Sequence, residues 1–227
     1  MLIGTMLVRN EADRWLRQVL KQMKSVCDKL IILDDYSTDN TPEICKEYGD
    51  VYKSERQYWG FNEIRQRKHL WELGISYAND GDWILCLDAD ETIPKIDLLL
   101  RKIKTAEQYK VDGLAFKLYD MWNQTHYRDD IYWCGHNGDW LMCVKYDASK
   151  QYEWCEKVLH CGRFPVNACS LLGRTGLEIQ HWGWSTSKDR EIKYNRYKEV
   201  DPDGKYGSIN QYNSILDPSP YLKEFNL

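Results

Sequence analysis

The apolar run Trp83-Ile84-Leu85-Cys86-Leu87 stops abruptly at Asp88-Ala89-Asp90-Glu91. A buried strand that ends in Asp-x-Asp sets acid groups at the carboxyl edge of a sheet, where open α/β folds bind ligands. Two carboxylates one residue apart make a hard oxygen site, suited to Mg2+ or Mn2+ with a phosphate as co-ligand. The pattern occurs twice more. Residues 2–8 read as a strand followed by Glu11, and residues 29–33 as a strand ending in Asp34-Asp35. In a parallel sheet such ends share one edge and converge on one crevice. A nucleotide with a divalent cation explains three acidic strand ends in a row. One carboxylate accepts from a base N–H or a ribose hydroxyl, and another holds the metal. Taken singly, each is equally an acidic turn.

The elements around these residues are legible in the first half. Ala12, Trp15, Leu16, Val19, Leu20, Met23 and Val26 fall at helical spacing, with Asn10 as the expected N-cap and Asp13 three residues on. Thr41-Pro42-Glu43 opens a second helix that Gly49 ends. Residues 51–53 form a short strand, and a third helix runs over 62–77. After the strand at 83–87, Ile96, Leu99, Leu100 and Ile103 mark a fourth helix, and residues 113–119 a further strand. This alternation predicts an α/β, Rossmann-like sandwich: a mostly parallel central sheet with helices on both faces. Beyond Tyr119 short strands are expected at 127–133, 140–146 and 177–182. A charged helix follows at 185–200, then a turn at 201–204. The tail is expected to pack back through Tyr212, Ile215, Leu216 and Phe225.

With 227 residues, one domain is expected over 1–227. Within it, residues 1–119 would bind the nucleotide, 120–184 would form the acceptor side, and 185–227 the C-terminal helix and tail. Against 35 acidic residues stand 31 basic ones, a net charge of −4. No nucleic-acid partner is expected, and any phosphate contact must be local. The N-terminus reads without a signal peptide and no run reaches transmembrane length, so the expected location is cytoplasmic, at a membrane only through a partner. Among eight cysteines, Cys27, Cys45 and Cys86 fit buried thiols. Cys134, Cys143, Cys155, Cys161 and Cys169, with His136 and His160, offer zinc-ligand types but no C-x2-C pair. Ten Trp and sixteen Tyr suit a core and, in part, a sugar-binding cleft.

Three segments resemble the family 2 glycosyltransferases of the GT-A fold. They are Thr5-Met6-Leu7-Val8-Arg9-Asn10-Glu11, then Ile32-Leu33-Asp34-Asp35-Tyr36-Ser37-Thr38-Asp39-Asn40-Thr41, then Leu87-Asp88-Ala89-Asp90-Glu91. His181-Trp182-Gly183-Trp184 is similar to a late His-aromatic-Gly element of that family. The resemblance implies a metal-dependent, inverting transfer of a sugar from a nucleotide donor, most often UDP-linked, to a glycan, a lipid-linked sugar or a protein. It implies that Asp35 accepts from the base. Thr5, Leu7, Arg9 and Glu11 would frame the nucleoside together with Asp34. Asp88 and Ala89 would meet the ribose or metal-bound water, Asp90 would ligate Mn2+ or Mg2+, and His181 would complete the shell. It places an arginine near the diphosphate, either Arg65 or Arg67. Asp39 reads as a helix cap.

Inverting transfer also needs a carboxylate that takes the acceptor's proton. Asp139, at an apparent strand start, is the first candidate, with Glu156 and Glu153 behind it. Cys161 stands where similar sequences often carry Glu. Three rival readings compete. Asp88-Ala89-Asp90-Glu91-Thr92 fits the D-x-D-x-T of haloacid-dehalogenase-like phosphatases, with Asp88 as nucleophile, although three strands precede it here. A non-catalytic carbohydrate-binding protein would leave the acidic strand ends unexplained. A nucleotidyltransferase would want a Gly-rich loop after the first strand, where Leu7-Val8-Arg9-Asn10-Glu11 stands instead.

Overall fold

The computed structural model describes residues 1–226. Its chain order begins β1 (Leu2–Val8), α1 (Leu16–Lys24), β2 (Lys29–Asp34), α2 (Thr41–Lys46), β3 (Asp50–Lys53), α3 (Glu63–Ile75) and β4 (Trp83–Cys86). Then come β5 (Glu91–Thr92), α4 (Leu99–Gln108), β6 (Gly113–Asp120), β7 (His126–Arg128), β8 (Trp140–Lys145) and β9 (Leu172–His181). The chain closes with α5 (Ser187–Val200), α6 (Ile209–Ser214) and β10 (Leu222–Glu224).

One eight-stranded sheet has the order β3-β2-β1-β4-β8-β6-β9-β5. The first four strands are parallel. β8 is antiparallel to both β4 and β6, so β6 again runs in the direction of β4. β1, β2 and β4 are buried on both faces because helices cover both. Leu2, Met6 and Val8 of β1, with Trp83 and Leu85 of β4, pack under α1 and α4. Leu7, Leu33, Ile84 and Cys86 pack on the other face against Leu70 and Trp71 of α3. The sheet is thus α/β and mostly parallel.

Several boundaries differ from the sequence reading. Asn10 is not the N-cap of α1: the helix starts at Leu16 after Trp15, without a side-chain cap. Asn10 instead takes φ 53°, a conformation asparagine tolerates, and its Oδ1 accepts from Thr38 N–H at 2.8 Å. Asp39 is not the N-cap of α2 either: Asn40 holds that position without a side-chain cap, and Asp39, one residue before it, accepts from Thr41 N–H at 2.9 Å. The strand expected at 127–133 is confined to His126–Arg128, and the one at 177–182 starts earlier, at Leu172. Leu216 is 44% exposed and does not pack back, whereas Tyr212 and Ile215 are buried.

β9 pairs with β6 through a bulge. Ala115 faces Arg174 and Lys117 faces Glu178, so two steps of β6 meet four of β9. Gly176 supplies the left-handed backbone there, with φ 68°. The Thr175 hydroxyl donates to Ala115 O at 2.8 Å and accepts from Leu177 N–H at 2.9 Å. Beyond the bulge, His181 lies beside Asp120 on β6 and Glu91 on β5.

Candidate active site at the carboxyl edge of the sheet

The loops after β1 and β2 are sewn together, which fixes the first two acidic ends. Asn10 N–H donates to Ser37 Oγ at 3.0 Å and Glu11 N–H to Thr41 Oγ1 at 2.7 Å. Arg9 Nη1 donates to the carbonyls of Asp35 and Tyr36, each at 2.7 Å. Asp34 is fully buried and accepts from Ser37 N–H. Asp35 is also fully buried; it accepts from Tyr58 N–H at 3.0 Å, Trp59 N–H at 2.7 Å and the Gln66 amide. Burial raises the Asp35 carboxyl above the usual range, against the pull of these donors. Thr5 lies within β1 and spends its hydroxyl on Leu85 O. Leu7 and Ala89 are part of the apolar packing on opposite faces of the sheet.

Asp88 is held from two sides. Arg67 Nη2 reaches its Oδ1 at 3.0 Å, and Arg163 Nη2 its Oδ2 at 3.0 Å. Arg163 also forks onto Glu91, at 2.8 and 2.6 Å, the geometry in which guanidinium binds carboxylate best. Burial would raise the Asp88 carboxyl, but the guanidiniums of Arg163 and Arg67 outweigh it and keep it below the usual range. Asp88 is still 31% exposed, so a ligand can reach it. Of the two candidate arginines, Arg67 is the one on Asp88. Arg65 turns away onto the Tyr58 ring and hydroxyl and onto Glu55.

Asp90 faces a different set. Its Oδ2 lies 3.5 Å from His181 Nε2, 3.6 Å from Lys193 Nζ and 4.0 Å from Arg14 Nη2. His181 Nδ1 pairs with Asp120 Oδ1 at 2.7 Å, so the carboxylate behind the ring orients Nε2 toward Asp90, as in carboxylate–histidine–metal arrangements. Burial would raise Asp90, yet the charges of His181, Lys193 and Arg14 hold it well below the usual range. His181 in turn is pushed up to about 10: burial opposes its charge, but Asp90 and the hydrogen bond to Asp120 prevail. Glu11 points toward this group rather than toward Asp35. It pairs with Arg14 at 3.1 Å, and burial and the nearby Asp90 raise its carboxyl to about 8. The Trp15 and Trp182 rings stack at 4.1 Å beside the cluster, an interaction worth about 0.5–1.5 kcal/mol that ties the first loop to the end of β9.

The donor set can be tested against a divalent cation. Among the described residues no three His, Cys, Asp or Glu side chains converge on one metal point. Asp90 Oδ2 and, once the ion displaces its proton, His181 Nε2 supply two donors, as many as Mg2+ or Mn2+ uses when phosphates and waters complete the shell. Gly183 leaves room for an ion. A Cβ there would lie 2.8 Å from His181 Nε2 and closer still to Asp90 Oδ2 and Lys193 Nζ. The residues therefore fit a metal held jointly with a phosphate. Gly183→Ala is expected to fold but to weaken Mn2+ binding at least about tenfold, read by calorimetry; unchanged affinity would place the ion elsewhere.

The base candidates have other partners. Asp139 is held by Arg174 at 2.6 Å and Lys117 at 3.2 Å, which keep its carboxyl below the usual range. Glu156 pairs with Lys68 on the exposed side of α3. Glu153 engages Asn167 and Val166 through its backbone. The Cys/His residues of the second half do not gather either: His136 stacks on Tyr119 and pairs with Asp129, and His160 meets Tyr212. All eight cysteines are free.

Sequence reasoning missed Arg163, Arg14, Lys193 and Asp120. Asp120 carried a usable signal, since it ends a strand just as Asp88 does. Arg14 stands three residues after Glu11 and pairs with it locally; Arg163 and Lys193 arrive by tertiary return and leave no local mark.

Comparison with known proteins accords with this architecture. The crystal structure of Staphylococcus aureus TarS residues 1–349 in complex with UDP superposes with a TM-score of 0.55 at 14% identity, over 95% of this chain and 69% of that one. That likeness shows a shared fold. An uncharacterized protein of Mycobacterium tuberculosis is 24% identical over 226 residues, covering 95% of this chain and 54% of the relative. The chain thus spans about half the length of that relative. The glycosyltransferase SunS of Bacillus subtilis is 32% identical over 97 residues, 39% of this chain and 20% of SunS. The model for glycosyl transferase family 2 matches residues 6–149, the stretch that carries all three acidic strand ends, and the chain belongs to that family.

Proposed function

We propose that this chain transfers a glycosyl group, with inversion, from a UDP-linked donor held with Mn2+ or Mg2+ to a glycan, a lipid-linked sugar or a protein side chain. One observation carries the reading. Among the described residues, the buried side-chain polar atoms without a hydrogen-bond partner are Glu11 Oε2, Arg14 Nε and Nη2, and Arg67 Nη1. All four flank Asp88 and Asp90; Arg14 Nη2 has an ion pair to Asp189 at 3.2 Å but no well-directed hydrogen bond. Native structures rarely leave such groups unpaired, and a cluster of them at one edge is what a missing charged ligand leaves behind. The UDP bound to TarS favours uracil as the base.

In this reading Asp90 and His181 hold the cation, and Arg67 Nη1 meets the diphosphate beside Asp88. A divalent cation neutralises charge on a departing nucleoside diphosphate. Residues 1–119 bind the nucleotide, residues 120–184 shape the acceptor side and return His181, and residues 185–227 cover the edge. Asp35, fully buried on Tyr58, Trp59 and Gln66, anchors the 58–59 loop beside the base. Asp139 takes the acceptor's proton once an acceptor displaces Lys117 and Arg174 from it. Asp139→Asn is then expected to leave UDP affinity unchanged and to lower transfer at least about 100-fold; undiminished transfer would put the base elsewhere. No helix among the described residues is long and apolar enough to cross a membrane, so a lipid-linked acceptor would be met at the surface.

The phosphatase reading needs Asp88 as a free nucleophile, whereas arginines hold both its oxygens. Calorimetry with UDP, GDP and dTDP, each with and without Mn2+, tests the proposal. Mn2+-dependent binding of UDP is expected, and failure of all three nucleotides to bind would overturn it.

A further inference from the structure

None of the fourteen residues of α5 is fully buried; Tyr194 and Tyr197 pack against the cluster of Trp122, Trp133, Trp184, Tyr212 and Ile215, with Tyr197 stacked on Tyr212 at 4.3 Å. Its other ties are polar. Arg190 Nη1 donates to Trp184 O at 2.6 Å and Trp122 O at 3.0 Å, and Asp189 faces Arg14 at 3.2 Å. One side chain reaches further in. Lys193 passes over the Trp184 ring, 4.2 Å from its centroid, and ends 3.6 Å from Asp90 Oδ2. That separation is an ion pair without a hydrogen bond. The ammonium stands in the space that Gly183 leaves open between Asp90 and His181.

A buried carboxylate needs a charge partner. When no metal is present, Lys193 shares that role with His181 and Arg14 and is the one of the three that stands in the gap. An ammonium and a divalent cation cannot share the gap, because like charges at such separations repel strongly. We propose that Lys193 is a resident counter-ion that a divalent cation displaces, so that loading Asp90 and His181 frees the ammonium and loosens α5 from the sheet edge. This rests on the metal-binding reading given above. The displaced ammonium has an easy exit, since a four-carbon stem on an otherwise exposed helix reaches water. The helix then loses its tie to Asp90, while Tyr194, Tyr197 and Arg190 still hold it to the body.

Two measurements, both made with UDP present, test this without reading activity. The first is Mn2+ titration, followed by electron paramagnetic resonance, of the wild type, Lys193→Met and Asp90→Ala. Methionine keeps the chain length over Trp184 and removes the charge. Lys193→Met is expected to bind Mn2+ about tenfold tighter than wild type, and Asp90→Ala not detectably. The second is amide hydrogen exchange over residues 187–200, expected to speed up on Mn2+ addition in the wild type and to stay unchanged in Lys193→Met. Equal Mn2+ affinity in wild type and Lys193→Met would overturn the counter-ion role while leaving the metal reading standing. Failure of both to bind Mn2+, with UDP binding intact, would overturn the metal reading and the displacement together. Unchanged or slower exchange in the loaded wild type would also overturn it, and decides the matter alone if Lys193→Met does not fold.

Discussion

Asp90→Ala is expected to weaken Mn2+-dependent UDP binding at least about 100-fold, or about 2.7 kcal/mol, and to leave the protein folded. The first effect follows from removing the oxygen that faces His181 Nε2 across the Gly183 gap. The second follows from what remains. His181 keeps Asp120 and, once the Asp90 charge is gone, can shed its proton. Lys193 can swing to water from its exposed helix, and Arg14 keeps Glu11 and Asp189. No charge is stranded. Calorimetry with and without Mn2+ reads the binding, and a melting curve reads the fold. Metal-dependent UDP affinity equal to wild type would refute the assignment of Asp90.

Arg163→Met should act in the opposite way, on stability before ligand binding. Glu91 is 1% exposed and bound by both arms of Arg163. Removing one partner of a buried pair leaves an uncompensated charge, at a cost of about 3 kcal/mol. For a chain of this size that lowers the melting temperature by about 6–12 °C. Burial already raises the Glu91 carboxyl, with Asp88 adding to the effect, so Glu91→Gln combined with Arg163→Met should recover part of the loss. A melting temperature for Arg163→Met within a degree of wild type would show that the fork carries no structural weight.

The sequence disclosed the two halves unequally. The strands at 2–8, 29–34 and 83–86 are short apolar runs closed by acids, a pattern with one ready interpretation, and the structure has them there. β9 was half hidden. Its first residues alternate around Gly173 and Gly176, which weaken strand preference locally and were needed for close approach and for the bulge. α6 is six residues long, too short for a periodic signal. The site divides along the same line. Glu11, Asp34, Asp35, Asp88 and Asp90 stand at strand ends, and the rule of the sheet edge finds them. Arg163 lies in a loop and Lys193 on a helix whose apolar pattern is flat. Only the folded chain brings them to Asp88 and Asp90.

The bulge in β9 has a consequence for the phase of the whole edge. Straightening it would slide the far end of β9 by two residues, about 7 Å, and carry His181 past Asp120. An even slip returns every side chain to its own face, so the inside–outside alternation that normally forbids misregistration offers no resistance. Hydrophobic burial is therefore indifferent between an aligned histidine and a useless one. The choice falls to the Thr175 hydroxyl, which grips Ala115 O and Leu177 N–H, and to the left-handed turn at Gly176. A few polar contacts some six residues upstream act as the vernier that sets His181 against Asp90.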